Sequence, residues 1–209
     1  MPTTRTPAKR AEAPPMRPEL RARLRAAVLR AFSAADFHNV DMRSIAAECG
    51  MSFATIYKYF GDKEHLLFEF ISEWLGELRL RLVDGMQGLQ SPREKLRKCL
   101  WIHLQYYEEN PGVARAIFMS VPLQTWMQDE TFVQADFFVP MLALVKKAQQ
   151  EGAIDPALQP VQVIDFFIGA IQRTVVMWEY RQRRYRLTDQ FETLFGMLWC
   201  GISPREAKR

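Results

Sequence analysis

Apolar residues recur along most of this chain at spacings of three and four, the pattern of helices that bury one face. Leu20, Leu24, Ala27, Val28 and Ala31 stripe a first helix beginning at Pro18. Met42–Cys49 reads as a short second helix, with Asp41 placed to cap its first amides and Gly50 to end it in the left-handed conformation. A third starts after Ser52 and runs to about Tyr59. Asp62 then opens a long helix with Leu67, Phe70, Ile71, Trp74 and Leu78 on one face, ending near Gly85–Gly88. Pro92 starts a helix that closes before Asn110-Pro111, Gly112–Ser120 is a short one, and an irregular VPLQTWMQD segment follows. Glu130–Glu151 is helical with Pro140 as a kink, and Val161–Arg183 is apolar on nearly all sides. Phe191, Leu194, Phe195, Leu198 and Ile202 stripe the last helix. The pattern predicts nine helices and no strand, an all-α chain.

A helix that is apolar all round must be covered on two sides. For Val161–Trp178 the covers are its own core and a second subunit, which with the last helix would form a four-helix isologous interface. The expectation is a homodimer. The same stretch is interrupted by Asp165, Gln172, Arg173 and Glu179, short of the roughly 18 uncharged apolar residues of a membrane span. No membrane association is predicted.

Charge changes the picture at the amino-terminal end. Residues 1–60 hold ten Lys/Arg against five Asp/Glu, whereas the whole 209-residue chain carries +4. The first part therefore faces a polyanion, with nucleic acid and an anionic membrane surface both open at this stage. Residues 1–17, MPTTRTPAKRAEAPPMR, have four prolines, four basic residues and no apolar period, and read as a disordered basic tail. Two roles are open to this tail: a basic arm entering a minor groove, or a solubilising extension. Cys49, Cys99 and Cys200 are odd in number and far apart, which fits buried thiols in a reducing compartment. With no signal-peptide pattern, the expected location is cytoplasmic.

Catalysis finds no support. His38, His65 and His103 lie in no ligand spacing, and there is neither a glycine-rich phosphate loop nor a Gly-x-Ser-x-Gly turn. The expectation is no catalytic residue, no metal and no cofactor.

The informative stretch is MRSIAAECGMSFATIYKYF, residues 42–60. Two short helices that cross steeply need a small residue at the crossing, supplied by Ala46. Ile45 and Cys49 point into it from one side, Ile56 and Phe60 from the other. Gly50 supplies the positive-φ bend and Met51 plugs the space beneath it. This is a helix-turn-helix.

The run IAAECGMSFATIYKYFGDKEHLLFEF resembles the DNA-binding domain of TetR-family transcriptional regulators, closely over residues 20–70 and elsewhere only in helix count and layout. The resemblance implies a helix-turn-helix domain over residues 18–64 and a ligand-sensing, dimerising domain over 65–209. It also implies a homodimer on a palindromic double-stranded DNA operator, released when a small-molecule effector binds.

The second helix of such a motif enters the major groove by its amino-terminal end, here Ser52, Phe53, Ala54 and Thr55. Ser52 either caps the helix or contacts DNA, and Thr55 can bond a base or a phosphate. Phe53 departs from the family's usual polar residue; it either meets a thymine methyl or leans back on the first helix. Ala54 replaces a frequent glycine. By resemblance Tyr57 and Tyr59 contact phosphates, Lys58 reaches backbone or base, and Lys63 is the family's phosphate-binding lysine at a helix start. Arg43 can reach a guanine edge or a phosphate. Met42 replaces the family's Thr/Ser and with it a hydroxyl–phosphate contact.

In the second domain, large aromatics sit mid-helix on several elements, and the resemblance would place them around one pocket. Trp74, Trp101, Phe118, Trp126, Phe138 and Phe167, with Gln105 and Gln172 as polar partners, are the expected ligand-binding residues. Few acidic residues lie inside these helices, which points to an apolar or anionic effector. The rival reading is a helical small-molecule-binding protein without specific DNA binding.

Overall fold

The computed structural model describes residues 15–204 except 122, 130, 133 and 134, and describes no side chain at 123 or 135–137. Arg5, Lys9 and Arg10 of the basic tail, and Glu130, lie outside the described residues. Among the described residues there are ten α-helices and no strand. They are α1 (Pro18–Ala34), α2 (Met42–Cys49), α3 (Phe53–Phe60), α4 (Lys63–Met86), α5 (Pro92–Glu109), α6 (Pro111–Arg115), α7 (Leu123–Trp126), α8 (Ala135–Gln150), α9 (Pro160–Tyr180) and α10 (Phe191–Ile202). A π-helical turn, Ala116–Ser120, continues α6, and 3-10 turns at Phe37–Asn39 and Leu187–Gln190 precede α2 and α10. The tenth helix is α7, a single turn in the segment expected to be irregular. Pro140 lies within α8, as expected from the sequence.

The helix ends follow local chemistry. Asp41 accepts from the amides of Arg43 and Ser44 at the start of α2. Those bonds, first the Arg43 amide and then the Ser44 hydroxyl, hold its carboxyl below the usual carboxylate range. Ser52, Asp62 and Ser91 cap α3, α4 and α5 in the same way. Gly50, at φ 69°, closes α2: its amide and that of Met51 return to the carbonyls of Ala47 and Ala46. A side chain would be strained at that φ, so the sharp entry into α3 depends on glycine.

Leu24, Ala27, Val28 and Phe32 of α1 are fully buried, together with Ile45, Ala46 and Cys49 of α2 and Ile56 and Phe60 of α3. These residues form the core of a three-helix unit whose fourth wall is the start of α4. Beyond it, α4 and α5 run antiparallel. They approach closely at Gly85, where a Cβ would fall 2.5 Å from Ile102 Cδ1. Tyr106 donates to the Trp74 carbonyl at 2.8 Å and ties the two helices together.

Helix α5 is the axis of the second domain, touching α4, α8, α9 and α10. Its carboxy-terminal Glu108 accepts from the amide and hydroxyl of Thr188, just before α10, at 2.7 and 2.9 Å. Its middle meets Phe191 through Trp101, and at its start Arg93 lies over Trp199. Helix α10 therefore runs antiparallel to α5. At the far end of α10 the Asp155 amide donates to the Ile202 carbonyl, which fixes the α8–α9 turn there.

Helix α9 is long and apolar enough to cross a membrane by length and composition. Val163, Ile164, Phe167, Ile171, Val175 and Trp178 are instead buried in the protein's own core, while Val161 and Phe166 remain exposed. Cys49 and Cys99 are buried, as expected; Cys200 is exposed on α10, and the expectation that it too is buried was wrong.

Candidate nucleic-acid interface

Helix α3 carries two faces. Ile56 and Phe60 point into the core, and Phe53, Ala54, Tyr57 and Lys58 are exposed on the other side. Ser52 is the helix cap: the Thr55 amide donates to its Oγ at 3.0 Å, and the two side-chain oxygens lie 2.7 Å apart. Phe53 does not retreat into the core. Its ring is 40% exposed, lies 6.2 Å from Tyr57 and is covered by the Arg43 guanidinium at 5.6 Å. Arg43, Phe53 and Tyr57 thus form one cation–aromatic edge that joins α2 to the tip of α3. Tyr59 is half-buried against Phe60, set back from that edge.

Lys63 is turned toward the α1–α2 connection. Its ammonium donates to the carbonyls of Phe37, Val40 and His38 at 2.8, 3.0 and 3.4 Å, and lies 4.6 Å from the Phe37 ring centroid. All three of its donors are engaged by main-chain carbonyls around the 3-10 turn. In this conformation it fixes the α1–α2 connection to the start of α4 rather than facing outward. Sequence spacing could not show this, because the carbonyls lie more than twenty residues away.

The face assembled on α2 and α3 can do two things: read base edges in a groove with Phe53, Thr55 and Arg43, and hold backbone phosphate with Tyr57 and Lys58. Residues 24–70, which span it, match the family model for bacterial regulatory proteins of the tetR family. Over these residues the chain carries a helix-turn-helix domain of the tetR type. The fatty acid metabolism regulator protein of Bacillus subtilis (strain 168) is 21% identical over 168 residues, 79% of this chain and 87% of that one. Among solved structures, the fatty acid degradation regulator FadR from Bacillus halodurans superposes with a TM-score of 0.79 at 18% identity, covering 88% of this chain and 96% of that one. FadR from Bacillus subtilis in complex with stearoyl-CoA gives 0.77 at 20% identity, covering 87% and 99%. At these identities the structural likeness shows the fold.

Of the expected ligand residues, Trp101 alone borders either of two surface clefts among the described residues. Trp74, Trp126 and Phe167 are buried, Phe118 and Phe138 half-buried, and Gln172 half-buried on α9. Phe118 packs on Tyr107 at 5.1 Å, and Trp126 lies between Phe68 and Phe132 at 6.4 and 4.7 Å. Trp101 donates to Gln105, which in turn donates to Glu109, on the outer surface of α5. Trp101 lines a small cleft with Arg97, Lys98 and Phe191. The larger opening is a groove of about 450 Å³ between α4, α5 and α8. Leu82, Val83, Met86, Met141 and Leu144 line it together with Arg79, Lys95 and Lys147. None of the eight expected residues lines that groove. The cations that do are isolated in sequence and carry no pattern that would have singled them out.

Two features of α4 connect the DNA-binding unit to the remainder. Arg21 of α1 pairs with Glu69 at 2.8 Å and also with Glu73, and Arg25 pairs with Glu77 at 2.6 Å. His65 sits between carboxylates, 2.7 Å from Asp62 at the head of α4 and 3.2 Å from Asp129 after α7. The Asp62 cap, directly after the recognition helix, is thereby joined to the second domain.

Proposed function

We propose that this regulator is a cytoplasmic repressor that grips a palindromic operator as a homodimer and releases it when an acyl anion binds. The observation that carries the reading is the exposed Arg43–Phe53–Tyr57 edge on a helix otherwise committed to the core. Apolar rings left outside a well-formed core beside cations suit a groove with methyl groups and phosphates. Arg43, Phe53, Ala54 and Thr55 read the half-site, Tyr57 and Lys58 hold the strand, and Ser52 shapes the tip. Lys63 acts as a positioning residue behind them, and Tyr59 supports from the side.

For the effector, the groove between α4, α5 and α8 supplies an apolar floor and a rim of three cations, suited to a long hydrocarbon chain with an anionic head. The stearoyl-CoA held by the Bacillus subtilis relative is a compound of that chemistry. An effector wedged between α4 and α8 moves α4, and through Asp62, His65 and the α1–α4 ion pairs it changes the spacing of the two recognition helices. That spacing must stay near one duplex turn, about 34–36 Å, or a multiple of it.

The test is release of a bound operator duplex by stearoyl-CoA, followed by fluorescence anisotropy. The expected outcome is release at micromolar stearoyl-CoA, with coenzyme A alone ineffective and with release weakened at least tenfold in R79Q/K95Q. Equal release by free coenzyme A, or none by any acyl compound, removes the effector assignment.

A further inference from the structure

The segment between α9 and α10, RQRRYR at residues 181–186, places four arginines in six positions. Two of them are neutralised locally: Arg183 pairs with Glu179 at 3.6 Å and Arg186 with Glu108 at 3.1 Å. The other two are not. Arg181 donates to the Tyr185 hydroxyl and Arg184 to the Gln182 side chain, each at 3.4 Å, and among the described residues neither is in an ion pair. Residues 181–184 are all exposed, and Gln182 and Arg183 hold left-handed backbone at φ 58° and 55°. Neither residue is a glycine, so the turn is strained, and it spreads its guanidinium groups into solvent.

The position of this loop gives those charges a direction. Because α10 runs antiparallel to α5, the loop lies beside the carboxy-terminal end of α5, where Glu108 binds both Arg186 and Thr188. Two residues later the chain enters α6, which packs on α1 of the DNA-binding unit. Gly112 faces Leu29 and Ser33, and Ser120 donates to the Phe32 carbonyl at 2.7 Å. The arginine loop is therefore at the end of the bundle nearest the helix-turn-helix. It also joins the two helices, α9 and α10, whose exposed apolar residues we assign to the dimer. Two copies would stand close to the two-fold axis, between the recognition helices.

We infer that Arg181 and Arg184 contact the phosphates of the operator between its half-sites. The inference rests on the dimeric DNA-binding reading above. In the dimer four guanidinium groups, arranged two-fold, meet a two-fold duplex and add affinity without reading sequence.

The experiment compares wild type with R181Q/R184Q on the same operator duplex across 50–300 mM salt, with R181K/R184K as the charge-retaining control. Four lost phosphate contacts should reduce the slope of log K against log salt by about 3–4. Affinity near 100 mM salt should fall by about 10³- to 10⁴-fold with the selected sequence unchanged, and the lysine variant should keep the wild-type slope. An unchanged slope in R181Q/R184Q overturns the inference, whether or not affinity falls, and leaves the operator reading intact. A variant that keeps the slope but no longer sediments with anionic phospholipid vesicles that wild type binds assigns the loop to a membrane and overturns it equally. If wild type itself prefers no sequence, the operator reading fails and the inference with it.

Discussion

Aspartate at both Phe166 and Met197 should convert the proposed dimer to a monomer and lower affinity for a two-half-site operator by about 10²–10⁴-fold. Phe166 on α9 is 49% exposed and Met197 on α10 is 61% exposed, while the opposite faces of both helices are buried in the protomer. The two helices touch directly, with Gly201 against the Phe166 ring. A large exposed aromatic beside an exposed methionine on adjoining helices is the form of an unpaired subunit interface. Each substitution occurs twice across an isologous contact, so four carboxylates would have to be desolvated to keep the dimer. The affinity loss follows from linkage: with one half-site bound, the second recognition helix is held at millimolar effective concentration, and a monomer forfeits that gain. Light scattering at micromolar protein and anisotropy on the operator give the two readouts. A variant that remains dimeric would move the interface to another surface.

Acidification from pH 7.5 to 4.5 should remove up to about 3 kcal/mol of folding stability through His103, whose pKa burial pushes down to about 4 from the usual 6.5. The imidazole lies within α5, its Nδ1 donating to the Cys99 carbonyl at 2.8 Å and standing 3.7 Å from the Cys99 thiol. Burial likewise pushes that thiol up to about 12, which keeps it neutral. The sign follows from proton uptake. Above about pH 6.5 the ring is neutral in both folded and unfolded chains and contributes no pH dependence. Between that value and about 4 the unfolded chain binds a proton that the folded one refuses, so stability falls with pH and levels off below. Asparagine keeps a donor for the Cys99 carbonyl and does not titrate. Urea unfolding of wild type and H103N at pH 7.5, 5.5 and 4.5 isolates the effect, since every other titrating group is shared. Two parallel stability curves would mean that His103 takes up its proton without unfolding.

The helix-turn-helix was legible in the sequence because its determinants are local. Asp41 and Ser52 cap the helices they precede, Gly50 adopts the conformation its position demanded, and Ile45, Ala46, Cys49, Ile56 and Phe60 fill the crossing. The interface could be read only in part. That Phe53 faces outward depends on Arg43 lying over its ring, and that Lys63 faces inward depends on carbonyls on the far side of α2. A one-dimensional pattern records neither. The helices after α4 were legible as helices but not as a site. Aromatics such as Trp126 and Phe118 pack on other aromatics, while the groove between α4, α5 and α8 is walled by ordinary leucines and methionines with scattered cations. The short α7 escaped because a single turn leaves too few residues to show a period.

Selection of bound duplexes from a random-sequence DNA pool tests most directly whether Arg43, Phe53, Tyr57 and their neighbours form an operator-reading face. The account predicts enrichment of an inverted repeat whose half-sites lie about 10 base pairs apart, centre to centre, or a multiple of that spacing. It also predicts that R43A/Y57A selects nothing from the same pool. A pool that wild type leaves unenriched, or a selected sequence that R43A/Y57A binds as tightly as wild type, would contradict it.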